Sequence, residues 1–155
     1  MSPAADGRTS PTFRRAARLL VVDPCTRTVL LFQYEDGGRT WWATPGGGLE
    51  ADETYEEAAA REAREELAIS SESFLPLWHR TVEFSFRGLF VRQHERYFLI
   101  RIWSQRISLA PEAHDAHARE GILAARWWSR DEIDATSEQI FPEDLADRLR
   151  DLTWP

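Results

Sequence analysis

Cysteine is almost missing from this chain. Cys25 is the single thiol in 155 residues, so no internal disulfide can form, and a reducing, cytoplasmic setting is expected. Long apolar runs are missing too. No stretch approaches the roughly 18 apolar residues of a membrane span. The leading segment MSPAADGRTSPT has no apolar core of the kind a secretory signal requires. Basic charge is scarce: 19 Lys and Arg stand against 26 Asp and Glu, for a net charge of -7. That balance argues against a nucleic-acid polymer as partner, because nonspecific binding to it needs a basic surface. It leaves room for a small phosphorylated substrate, since a bound divalent metal reverses the local sign of charge. No repeat, low-complexity segment or long linker divides the chain. Residues 1–12 are expected to be a loose polar tail and 13–155 one domain.

Apolar side chains make up 43% of the residues, with 7 Trp and 8 Phe, enough to bury a real core. FRRAARLLVVD (13–23) and RTVLLFQY (27–34) read as strands separated by a turn at Asp23-Pro24. Asp36-Gly37-Gly38 marks a second turn before the short aromatic strand 40–44. The segment 80–88 alternates, with Val82, Phe84 and Phe86 on one face and Glu83, Ser85 and Arg87 on the other, as a half-buried strand does. Strands are also expected over 89–103 and 122–128, on either side of a polar loop at 108–121. Ser129 and Glu132 form a capping box. Phe141, Leu145, Leu149 and Leu152 recur at helical spacing, which predicts a closing amphipathic helix packed on the sheet. The order of elements means a mixed sheet with helices on its faces, or an α+β fold.

The segment TPGGGLEADETYEEAAAREAREELAIS (44–70) carries the chemistry. Thr54 with Glu57 predicts a capped helix start, and Ala58, Ala59, Ala60 and Ala63 favour the helix while keeping it slim. Glu62 lies three residues from Glu65 and four from Glu66, so the three carboxylates project from one side within a turn. Like charges so placed repel, and oxygen ligands of this kind suit a hard divalent cation. Gly46, Gly47 and Gly48 form an adjoining loop able to bring backbone N–H groups to phosphate oxygens.

From Gly47 the residues resemble the Nudix box, G-x5-E-x7-R-E-U-x-E-E-x-G-U with U aliphatic. Gly47 leads, Glu53 follows, and Arg61-Glu62-Ala63-Arg64-Glu65-Glu66-Leu67-Ala68-Ile69 completes it. Two positions depart: Ala68 replaces a glycine that turns the chain left-handed out of the helix, and Ala63 is small for its aliphatic place. The resemblance implies an α/β fold with a mixed β-sheet sandwiched between helices (α/β/α). It implies a hydrolase of nucleoside diphosphates linked to another moiety, including pool-sanitising roles, that depends on Mg²⁺ with Mn²⁺ as a substitute. Glu62, Glu65 and Glu66 would bind the metal, one of them acting as base toward water. Arg61 and Glu53 would pair and hold helix and loop in register, and Gly46, Gly47 and Gly48 would meet the substrate. A further metal carboxylate is expected outside the box, with Glu120 ranked ahead of Glu95. A homodimer is left open.

Several residues invite rival readings. Of Trp41 and Trp42, alternation sends one to the core and leaves the other to meet a base. Arg87, Arg92 and Gln93 are candidate substrate contacts. His114 and His117 lack further zinc ligands nearby, His79 and His94 are read as structural, and Cys25 has no catalytic partner. A non-catalytic nucleotide-sensing module is the alternative, although members that merely sense nucleotides typically lose box carboxylates and this chain keeps them all. Isomerisation of a prenyl diphosphate would need an active-site cysteine. Neither the proline associated with ADP-ribose hydrolysis nor the tyrosine associated with dinucleoside polyphosphates follows the box, so the nucleotide is left open.

Overall fold

Leu19 and Val21 point to one face of a strand and Leu20 and Val22 to the other, and all four are essentially inaccessible. A strand buried on both faces belongs at the centre of a layered fold. In a computed structural model, which describes residues 10–70, 74–103 and 121–154, that strand is β1 (Thr12–Asp23). It is followed by β2 (Thr28–Asp36), β3 (Arg39–Ala43), β4 (Gly46–Gly48), α1 (Tyr55–Leu67), β5 (Leu75–Phe86), β6 (Leu89–Arg101) and β7 (Ile122–Ser129). The described chain ends with α2 (Arg130–Ala135), β8 (Ile140–Phe141) and α3 (Leu145–Arg150). The strands form one mixed sheet in the order β5-β6-β1-β2-β3-β8, with β4 paired to β1 and β7 to β2. β1 runs parallel to β6, and β3 parallel to β8.

Two apolar layers follow from this alternation. On one face Leu19, Val21, Phe32 and Phe98 pack with Ala58, Ala59, Ala63 and Leu67 of α1. On the other, Leu20, Val22, Leu31 and Trp128 pack with Leu145 and Leu149 of α3. The helix–sheet–helix layering expected from the resemblance is therefore present. Among the described residues no helix is long and apolar enough to cross a membrane.

The capping box at Ser129 is complete: Glu132 N–H donates to the serine hydroxyl and Ser129 N–H to the Glu132 carboxylate. At Thr54 the hydroxyl accepts from Glu57 N–H at 3.1 Å.

Several boundaries differ from expectation, among them that of β5, which begins at Leu75 and not at Arg80. Thr12 already pairs with Val91, so β1 begins inside the expected tail, whose residues 1–9 lie outside the described ones. The closing helix starts at Leu145, not at Phe141, which is in β8 beside Ala43. Pro142 accounts for this, because the residue before a proline is pushed out of the helical region. The glycines 46–48 form a strand rather than a free loop, with Ala17 opposite Gly47 and Arg18 opposite Gly46. Glu120, His114 and His117 lie outside the described residues.

Candidate functional site

The short β4 strand exists because its residues have no side chains. A Cβ on Gly46 would lie 2.1 Å from the Ala17 carbonyl oxygen, and Gly46 adopts φ +135. Only glycine permits that approach. Small residues then continue the stack: Ala58, Ala59 and Ala63 of α1 are fully buried in the layer that also holds Ala17. The acidic helix thus lies close to the sheet beside β4.

This packing separates the three box carboxylates by environment. Glu62 is 4% exposed and Glu66 1%, while the Glu65 side chain is about half exposed at 53%. Gly46 N–H donates to Glu66 Oε2 at 3.2 Å. Arg61 occupies the middle of the group. Its Nε and Nη2 donate to Glu53 Oε2 and Oε1 at 2.8 and 2.9 Å. Its Nη1 donates to Glu62 Oε1 at 2.9 Å and to Glu65 Oε2 at 3.2 Å. Its Nη2 also reaches the Gly48 carbonyl at 3.0 Å. The fork ties α1 to the segment after β4, a bidentate geometry that a lysine could not supply. Those hydrogen bonds hold the Glu53 carboxyl below its ordinary range and raise the Arg61 pKa in turn.

Glu62 and Glu65 therefore share a guanidinium, and among the described residues no three His, Cys, Asp or Glu side chains are gathered around one point for a metal. The donors nevertheless fit a hard divalent ion. All are carboxylate oxygens, and Gly47, whose missing Cβ would sit 2.5 Å from Oε1, leaves the Glu62 carboxylate its place.

A cavity of about 370 Å³ opens from Gly46 and Gly47, a size typical of small-molecule sites. Trp41 forms an aromatic wall, stacked on Tyr34 at 6.0 Å and edge-on to Phe86 at 6.3 Å. Trp42 turns to the opposite layer against Trp128, so the two neighbours divide as strand alternation requires. Arg87 lines the cavity, and its N–H donates to Asp36 Oδ2 at 3.1 Å, joining two hairpin tips. Arg92 instead pairs with Glu83, and Gln93 is buried against Glu95.

Glu95 is only 3% exposed and its oxygens are heavily engaged. Arg80 Nε donates at 2.8 Å, Gln93 Nε2 at 2.7 Å and Tyr97 OH at 2.9 Å, and Arg18 Nε lies 3.5 Å away. Burial pushes the Glu95 carboxyl up, but the Arg18 charge and the Arg80 hydrogen bond outweigh it and hold the group below its ordinary range. Arg18, Arg80 and Glu143 also line the cavity. Sequence reading passed over these three, since no spacing signal links residues joined only by strand pairing.

At the end of α1, Ala68 adopts φ 54 and ψ 32. Ile69 N–H donates to the Ala63 carbonyl and Ala68 N–H to that of Arg64, the left-handed exit that glycine normally makes. Ala68 thus adopts the conformation that glycine takes at this position.

A NUDIX domain model matches residues 12–149. An uncharacterized Nudix hydrolase of Salmonella typhi, YfcD, is 30% identical over 103 residues, which cover 66% of this chain and 49% of that protein. The chain thus spans about half the length of the curated relative it matches. Among solved structures, a MutT NUDIX hydrolase from Burkholderia pseudomallei aligns with TM-score 0.63 at 20% identity, covering 92% of this chain and 99% of its own. The MutT protein from Methanosarcina mazei Go1 gives 0.65 at 18% identity, with 93% and 97% covered. The E. coli dihydroneopterin triphosphate pyrophosphohydrolase gives 0.59 at 22% identity, with 80% and 86% covered. At these identities the structural likeness speaks to the fold. The domain match runs from β1 into α3 and includes the whole box from Gly47 to Ile69, and the chain belongs to the Nudix family.

Proposed function

We propose that this protein is a divalent-metal-dependent pyrophosphohydrolase that cleaves a nucleoside diphosphate linked to another moiety. The observation that carries the reading is the burial of Glu62 and Glu66 against Gly47 and Gly46, two glycines that line a cavity otherwise walled by aromatic and arginine side chains. Glu62, Glu65 and Glu66 would hold Mg²⁺, or Mn²⁺ in its place, and Glu120, outside the described residues, would add a fourth carboxylate. When bound, such a cation supplies charge neutralisation at the diphosphate and lowers the pKa of water.

The protein's own groups do the rest. Glu53 clamps Arg61, and Arg61 orients Glu62 and Glu65. Glu65, the exposed member, accepts a proton from the attacking water. The water oxygen joins one phosphorus as that phosphorus loses its bridging oxygen, giving a nucleoside monophosphate and a phosphorylated remainder. Trp41 offers a face for the base.

Product analysis by mass spectrometry, over a broad nucleotide library with and without Mg²⁺, tests this reading. Glu65→Gln should keep the wild-type melting temperature and lose about 100-fold or more in kcat. Binding without cleavage of any nucleotide by the wild type would instead identify a sensing module, and full turnover by the variant would remove Glu65 from the chemistry.

A further inference from the structure

The chain carries a net charge of -7, yet five arginines against three glutamates line the cavity. A local surplus of positive charge inside an acidic protein is a receptor for an anion. Two of these arginines are built into the cavity rather than lying loosely at its rim. Arg18 and Arg80 have side chains only 19% and 18% exposed and are fastened to the same carboxylate, Glu95. Arg18 Nη1 is further held by the Thr44 carbonyl at 3.4 Å, and Arg80 Nη1 by Glu143 at 3.2 Å. Among the described residues, neither Nη2 group makes a hydrogen bond.

One buried carboxylate cannot balance two guanidiniums, and Glu143 contributes little because its side chain is 68% exposed. Arg18 also lies close enough to Glu66 to feel its charge, which sets the pair beside the acidic helix. Two fixed guanidiniums with donors to spare match the geometry of a phosphate group, which accepts several charge-assisted bonds at once.

We propose that Arg18 and Arg80 are the receptor for the phosphate of the nucleoside monophosphate half of the substrate. Glu95 holds the two guanidiniums in place and is not a metal ligand. This assignment rests on the hydrolase reading for the identity of the ligand, but binding of the product half requires neither metal nor turnover.

Titration with AMP, GMP, CMP and UMP, each compared with its own nucleoside, tests it in the presence of EDTA, read by calorimetry or tryptophan fluorescence. At least one monophosphate should bind about tenfold or more tightly than its nucleoside. Arg18→Gln and Arg80→Gln, which keep an N–H donor for Glu95, should each bring that ratio within about threefold while nucleoside affinity stays constant. In the wild type, inorganic phosphate should weaken monophosphate binding and leave nucleoside binding unchanged. This arm needs no variant to fold. Equal affinity for monophosphate and nucleoside, or an unchanged ratio in a folded variant, would overturn the assignment. A clear phosphate preference in a protein that cleaves no nucleotide would sink the hydrolase reading and leave this one standing.

Discussion

A Cβ on Gly47 would lie 2.5 Å from Oε1 of Glu62. The missing side chain is what leaves the buried carboxylate its position. Gly47 is not in the left-handed region, so alanine meets no backbone penalty there, and the atom it strikes is the end of a flexible chain. Gly47→Ala should therefore change stability by less than about 1 kcal/mol. Displacing Glu62 should lower metal-dependent kcat/KM by about 100-fold. Thermal melts and steady-state kinetics on one preparation check both halves, and an active Gly47→Ala enzyme would show that the position of Glu62 is unimportant.

Gly46 presents the opposite case. Its φ is +135, and an added Cβ would lie 2.1 Å from the Ala17 carbonyl oxygen and 2.9 Å from Arg18 Cα. Neither obstacle can swing aside, so β4 must separate from β1. Gly46→Ala should cost about 3 kcal/mol or more, seen as a fall of about 6 to 12 °C in melting temperature. An unchanged melt would mean that the β1–β4 pairing is dispensable.

Acid stability should depend on the ion pairs. Glu53, through its Arg61 hydrogen bonds, is held below the ordinary value of 4.5. Glu95 is too, where the two arginines outweigh burial. Their stabilisation is complete above about pH 4.5 and is lost as pH falls from there through the lower folded-state values. Glu53→Gln should cost about 2 kcal/mol at neutral pH, and its deficit should shrink below about pH 4.5 as the wild-type carboxyl takes up a proton. Urea midpoints across that range measure this, and parallel curves for the two proteins would contradict it.

Ala68 holds φ 54 at the helix exit, where a side chain costs about 1 to 2 kcal/mol. Ala68→Gly relieves that strain but frees the unfolded chain by about 0.4 to 1 kcal/mol. A net gain of about 0.5 kcal/mol is expected, or roughly 2 °C in melting temperature. A lower melt would show that Ala68 makes contacts worth more than its strain.

Much of the fold was legible because its signals are local. Thr54 and Ser129 both sit at helix starts as read, since a cap needs only its own first turn. The alternation from Thr81 to Phe86 matches the observed exposure of β5. The errors arose where a distant partner overrode the local signal. Glycines 46–48 look like a loop by composition and become a strand because β1 lies alongside. Phe141 fits the helical spacing of Leu145 and Leu149 but pairs with Ala43 instead.

From the sequence alone came the box from Gly47 to Ile69, the helix that carries Glu62, Glu65 and Glu66, and the family, because a motif confined to one turn and one helix has a fixed spacing to read. The tertiary structure alone decided that Glu95 meets Arg18 and Arg80, and that Glu62 and Glu66 are buried while Glu65 is exposed. Arg18 and Glu95 are brought together by the parallel pairing of β1 with β6, and Arg80 by the β5–β6 ladder. Such registers are set by the packing of whole faces across the sheet, and leave no trace in the distance between residues along the chain.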